Sequence, residues 1–121
     1  IIKKYEIKDA LINFGDSSIF GLGSHPNGNG WTVSISNAEK IIHINLNNNG
    51  LSSSGLHTNP TKMAHIFNPI SGELIQKNEK VIVVSSSPVV AEVLSTAVYV
   101  ADEITREAIK KEFANEEFYI I

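Results

Sequence analysis

Apolar residues along this chain keep two different rhythms. Between residues 10 and 84 they alternate with polar ones or gather in short runs, as strands do, and after Ser87 they fall at the three-to-four spacing of a helix face. Trp31-Thr32-Val33-Ser34-Ile35-Ser36 and Ile41 to Leu46 alternate cleanly, which suits strands with one wet face. Ala10-Leu11-Ile12-Asn13-Phe14, closed by Gly15, reads as a buried strand, and Ser18 to Leu22 as a second short one. Leu51 to Gly55 and Met63 to Phe67, the latter ending at Pro69, extend the series. Lys80 to Val84 is a β-branched run of the kind found in central strands. Ser87-Pro88 then opens a helix, with Ser as cap and Pro at the first position, carried on through Ala91, Leu94, Val98 and Tyr99. A second helix is expected from about Ile104 to Phe113, and Phe118 to Ile121 returns as a strand at or near a sheet edge.

The turn residues suggest how these strands pair. Gly21, Gly23, Pro26, Gly28 and Gly30 read as the long turn of a hairpin joining Ser18–Leu22 to Trp31–Ser36. Asn47-Asn48-Asn49-Gly50 reads as a tight hairpin that folds Leu51–Gly55 back on Ile41–Leu46, because Asn-Gly supplies the positive φ angles such a turn needs. Ile1 to Lys8 suits the last turns of a helix. The expected fold class is α+β, a mainly antiparallel sheet packed against two helices near 88–101 and 104–113, in one domain spanning 1–121.

Composition narrows the function. A chain of 121 residues can bury about two-thirds of the surface its unfolded form exposes. With 42% hydrophobic and 19% charged residues it belongs with ordinary globular proteins. The net charge is −3 and its ten Lys and Arg are scattered, so no basic stripe follows a nucleic-acid backbone and nucleic acid is not an expected partner. An acidic protein that handles an anion must lower the repulsion locally, with a metal ion or backbone N–H groups. The chain has no cysteine, which excludes disulfides, zinc-thiolate sites and thiol nucleophiles. No apolar run approaches the roughly 20 residues of a membrane span, and Ile1-Ile2-Lys3-Lys4 is not a signal peptide. The absence of an initiator Met leads one to expect a piece of a longer protein.

Few residues carry chemistry. Gly21-Leu22-Gly23-Ser24 starts like a dinucleotide fingerprint, but it lacks the third glycine and leads into a strand, so a turn is the better reading. The serines at 52–54 and 85–87 lack the G-x-S-x-G setting of an activated nucleophile and read as exposed or capping. His25, His43, His57 and His65 show no metal-ligand spacing on a helix. His65 stands out because it precedes Ile66-Phe67-Asn68-Pro69, near a strand end where polar residues can face a cleft. Glu92 and Thr96, four apart on the first helix with Ser95 alongside, share a face and could hold one hard cation such as Mg²⁺. A solvent-facing pair fits the same spacing.

Three segments in order, Asn13-Phe14-Gly15-Asp16, His65-Ile66-Phe67-Asn68-Pro69-Ile70-Ser71-Gly72 and Ala91-Glu92-Val93-Leu94-Ser95-Thr96-Ala97, resemble the ApbE family of flavin transferases over essentially the whole chain. The family pattern has a strand ending in N-x-G-G, a tryptophan strand matched by Trp31, a T-S-G, the histidine block, and an A-D-A-L-S-T-A helix. This sequence departs from it in Glu92 for the helix aspartate, in Ser53-Ser54-Gly55 for T-S-G, and in Asp16 with an extra residue before Ile19.

The resemblance implies the carboxy-terminal part of an enzyme that moves FMN from FAD to a Thr or Ser hydroxyl of an acceptor flavoprotein, a phosphoryl transfer that rests on positioning and charge neutralisation. It implies Mg²⁺ held by Glu92 and Thr96, FAD beside Asn13, Gly15, Ser54, Gly55 and His65, and His65 as the catalytic residue. A histidine, with its ordinary pKa near 6.5, suits a general base. It further implies a cell-envelope or periplasmic setting, with a lipoprotein anchor in the absent amino-terminal part. The competing expectation is a flavin- or partner-binding module of the same fold without catalysis.

Overall fold

Along the described residues the elements run β1 (Ala10–Asn13), β2 (Ser18–Leu22), β3 (Trp31–Ser36), β4 (Ile41–Leu46), β5 (Asn49–Gly55), β6 (Lys80–Ser85), α1 (Pro88–Val100), α2 (Glu103–Glu112) and β7 (Glu117–Ile120). The computed structural model describes residues 2–15, 17–55 and 66–121. A short 3₁₀ helix, Ile2–Tyr5, stands where the end of a helix was expected.

β6 shows why the molecule is layered. Its residues are buried on both faces: Val81 and Val83 pack with Ala91, Leu94, Val98 and Tyr99 of α1. Ile82 and Val84 pack with Val33, Ile35, Ile44 and Leu46 of the β3–β4 ribbon. A strand covered on both faces reads as a continuous apolar run, and Val81-Ile82-Val83-Val84 is one. The five-stranded sheet, ordered β1-β2-β5-β6-β7 and antiparallel throughout, thus lies between the helices and the two-stranded ribbon. This is the expected α+β arrangement. Gly21 marks a close approach of ribbon and sheet: a Cβ there would come within 2.7 Å of Leu46 Cβ.

Two expected hairpins are not ladders. β2 and β3 lie in different sheets, so the glycine-rich segment after Leu22 crosses between layers, held where Trp31 Nε1 donates to Leu22 O at 2.8 Å. β4 and β5 also part company: among the described residues β4 pairs with β3, and β5 with β2 and β6. The Asn-Gly signal misled because the positive φ belongs to Asn48, at 56°, and not to Gly50. Gly50 is small for another reason, since a Cβ on it would sit 3.0 Å from Pro88 at the start of α1. Of the strand expected at Met63–Phe67, residues 63–65 lie outside the described residues, and Phe67 makes a single antiparallel bridge with Leu74.

Both helices are capped as their sequences require. Ser87 Oγ accepts from Val90 N at the start of α1, with Pro88 in the first turn. Asp102 Oδ1 accepts from Thr105 N at 2.8 Å at the start of α2, and Lys110 and Lys111 occupy its last turn, where the helix dipole favours cations. The end of α1 is held by two cations: Lys77 Nζ donates to Tyr99 O at 2.8 Å and Ala101 O at 2.9 Å, and Arg106 Nε to Val98 O at 2.9 Å.

Candidate functional site

A broad cleft opens at the end of the sheet where β1 and β5 finish and β6 begins, with α1 along one wall. Asn13, Ser54, Gly55, Glu92 and Thr96 all line it. Of the other residues singled out by sequence, Gly15 is not among its lining residues, and His65 lies outside the described residues. Ile66, the next residue after His65, does line the cleft. Gly55 has φ of 153°, and a Cβ there would meet Glu79 O at 2.5 Å, so only glycine lets β5 end this way. The Phe67-Asn68-Pro69-Ile70 rim is a turn tied by one side chain: Asn68 Oδ1 accepts from Ile70 N at 2.8 Å and Ser71 N at 3.2 Å.

Strand parity explains the wall between β5 and α1. Side chains on a strand alternate, so Leu51 goes to the ribbon layer while Ser52 and Ser54 face α1. Both serines are buried, at 1% and 7% exposure, which corrects the expectation of exposed or capping serines. Ser52 Oγ donates to Glu92 Oε2 at 2.6 Å and Ser18 Oγ donates to the same oxygen at 2.5 Å. Ser95 Oγ lies 3.1 Å from Ser52 Oγ and 3.0 Å from Ser54 Oγ, and Ser54 Oγ lies 2.9 Å from Thr96 Oγ1. Glu92 and Thr96 therefore lie at the two ends of one run of hydroxyls. Glu92 is exposed, as a solvent-facing residue would be, yet its carboxylate reaches back to the sheet instead of standing free.

The same stretch of 85–87 shows a similar mixture: Ser87 caps α1, while Ser85 is buried and its Oγ accepts from Ser87 N at 3.0 Å. Lys77 and Lys80 line the cleft and were not singled out by sequence, since an isolated lysine carries no pattern. Burial first, then the neighbouring Arg106 guanidinium, holds the Lys77 ammonium below the usual lysine range, against the pull of Glu79. Lys80 Nζ donates to Ser36 O at 2.8 Å across the ribbon edge. Two cations, Lys77 and Lys80, and two carboxylates, Glu92 on α1 and Asp102 at the cap of α2, line the cleft of a protein of net charge −3. The charges of these lining side chains thus balance, and an anion held there needs a further cation or backbone N–H groups.

Among the described residues no three His, Cys, Asp or Glu side chains gather to hold a metal ion. What α1 offers is one carboxylate and one hydroxyl, hard oxygen donors that suit a cation which keeps waters and takes the rest of its shell from a ligand's phosphates. The donor set fits Mg²⁺ in kind, as a partial shell.

The fold has solved counterparts. A histidine-to-glycine mutant of the flavin transferase ApbE from Vibrio cholerae aligns over 99% of this chain and 40% of its own, with a TM-score of 0.80 and 19% identity. The unmutated Vibrio cholerae protein aligns over 98% of this chain and 40% of its own, with a TM-score of 0.77 and 19% identity. The flavinyl transferase ApbE of Pseudomonas stutzeri, in its apo form, aligns over 82% of this chain and 32% of its own, with a TM-score of 0.67 and 27% identity. The chain thus has the fold of about two-fifths of the Vibrio cholerae protein and about a third of the Pseudomonas one. The model of the ApbE family matches residues 1–120, and the chain belongs to that family. Among curated proteins none matches the sequence.

Proposed function

We propose that this chain is the carboxy-terminal part of a Mg²⁺-dependent flavin transferase that moves FMN from FAD to a Thr or Ser hydroxyl of an acceptor flavoprotein. The observation that carries the reading is the gathering of Asn13, Ser54, Gly55, Glu92 and Thr96, far apart in sequence, around one cleft in a chain matched by the ApbE family from end to end. The similar proteins of Vibrio cholerae and Pseudomonas stutzeri are flavin transferases by name. A cell-envelope setting and a lipoprotein anchor in the rest of the protein belong to the same proposal.

In this reaction the acceptor oxygen forms a bond to the FMN-side phosphorus, the anhydride P–O bond breaks, and AMP leaves with that bond's electrons. The acceptor's proton goes to a base, the role assigned to His65. Asn13, Gly15, Ser54 and Gly55 would bind the flavin end. Lys77 and Lys80 offset the Glu92 and Asp102 carboxylates of the cleft lining, so that phosphates would meet little net repulsion there. Glu92 and Thr96 would hold Mg²⁺, which when bound neutralises the pyrophosphate and its developing charge. With so few protein ligands, the bare chain binds Mg²⁺ weakly, and FAD together with the rest of the protein completes the site.

The test is intact-protein mass spectrometry of an acceptor flavoprotein incubated with the full-length protein, FAD and Mg²⁺. Addition of one FMN, dependent on Mg²⁺ and lost in Glu92→Gln, is expected. FAD binding with no transfer would favour the non-catalytic module, and transfer unaffected by Glu92→Gln would remove Glu92 from the site.

A further inference from the structure

We propose that Ser52, Ser95 and Ser54 are positioning residues that, together with Glu92, orient the Thr96 hydroxyl so that its lone pairs face the cleft. The inference rests on the reading of Glu92 and Thr96 as cation ligands, and it follows from counting protons. A carboxylate can only accept, so Ser52 spends its one hydroxyl proton on Glu92 Oε2 at 2.6 Å. The 3.1 Å contact between Ser52 and Ser95 must then be donated by Ser95. Ser95 is completely buried, and its other acceptor is Glu92 O, also at 3.1 Å, so its one proton is shared between two acceptors on the Glu92 side. Ser54 must therefore donate to Ser95 at 3.0 Å, and Thr96 to Ser54 at 2.9 Å.

Reversing the last link would require Ser54 to donate to Thr96 and Ser95 to donate to Ser54. That would leave the Ser95 contacts to Ser52 and to Glu92 O without a proton, two oxygens facing each other in a buried place in the first case and a half-buried one in the second. The run of hydroxyls thus has one direction, from Thr96 to the charge on Glu92, and each link polarises the next. The consequence is chemical. With its proton turned inward, Thr96 presents only electron pairs to the cleft it lines. Its immediate neighbour there is a cation or a donor group, never a phosphate oxygen. Glu92 thereby acts on Thr96 as well as beside it.

A double-mutant cycle tests this, using Mn²⁺ as the probe and the full-length protein with FAD, and reading free Mn²⁺ by electron paramagnetic resonance. Ser95→Ala, which leaves both proposed ligands in place, is expected to weaken Mn²⁺ binding on the order of tenfold. Thr96→Val should weaken it at least as much, and the double variant no further, because without a hydroxyl at 96 there is nothing left to orient. Ser18→Ala, which removes a donor to Glu92 outside the run, should cost less than Ser95→Ala. Additive losses from Ser95→Ala and Thr96→Val would overturn the positioning role while leaving the cation site standing. Unchanged binding in Thr96→Val would remove the cation site and this inference with it. If Ser95→Ala does not fold, Ser52→Ala cuts the neighbouring link of the run and is read by the same cycle against Ser18→Ala, which removes the other donor to Glu92.

Discussion

One helix, α1, lies on the sheet by two seams of opposite character. Toward β6 the contact is dry: Ala91, Leu94, Val98 and Tyr99 meet Val81 and Val83. Toward β5 it is built from hydroxyls, with Ser95 and Thr96 against Ser52 and Ser54, and ends on the Glu92 carboxylate. Apolar contact stabilises in proportion to the area it removes from water, whereas a satisfied hydrogen bond adds only about 1 kcal/mol net. The dry seam therefore holds the helix, and the hydroxyl seam is free to serve the cleft. A local rule broken in a packed interface is where function is expected.

The largest effect expected from breaking this contrast is at the dry seam. Leu94→Ala should cost about 2–5 kcal/mol in denaturant unfolding, because a cavity opens where Leu94 is only 5% exposed. Mn²⁺ affinity of the folded fraction should stay near that of the unchanged protein. Next comes the end of the helix that both seams share. Arg106, 6% exposed and paired with Glu79, also donates to the last carbonyls of α1, and Arg106→Met should cost about 1.5–3 kcal/mol through the charged hydrogen bonds lost.

A smaller stability change is expected at the hydroxyl seam. Replacing both Ser52 and Ser95 by Ala removes donor and acceptor of their link together, lets Ser54 turn its proton to Thr96 and leaves Glu92 with Ser18 and solvent, so unfolding should shift by about 1 kcal/mol while metal binding falls clearly. A loss as large as that of Leu94→Ala would show that the hydroxyls are structural. The smallest effect is at the cap of α2. The Thr105 backbone N–H, and then its side chain, hold the Asp102 carboxyl below its ordinary value of 3.8. Its folded pKa is depressed, so the capping contribution is present above that ordinary value and is lost as pH falls through the lowered one. Acid titration of stability should show this loss in the unchanged protein, and Asp102→Asn should remove that part of the slope.

Much of this fold is legible in the residues, because its elements obey local rules. Alternation marks β3 and β4, a β-branched run marks β6, and Ser87-Pro88 marks the start of α1. Strand partners are not legible, since Asn47-Asn48-Asn49-Gly50 carries the composition of a hairpin whether the chain turns back or crosses to another layer. At the site, the spacing of Glu92 and Thr96 places them on one face of α1 with Ser95 alongside, but two of the hydroxyls that join them, Ser52 and Ser54, sit on β5, and no spacing within a helix can announce those. Leu51-Ser52-Ser53-Ser54 looks like exposed polar chain until its parity is known. Only the register of β5 against β2 and β6 turns two of its serines toward α1.

The most direct test of the account is an anomalous difference map from a crystal of the full-length protein grown with FAD and Mn²⁺. The account predicts a peak bridging the Glu92 carboxylate, the Thr96 hydroxyl and the pyrophosphate, with Asn13, Ser54 and Gly55 around the flavin end. A metal bound away from α1, or a phosphate oxygen seated directly on Thr96 with no cation between them, would contradict it.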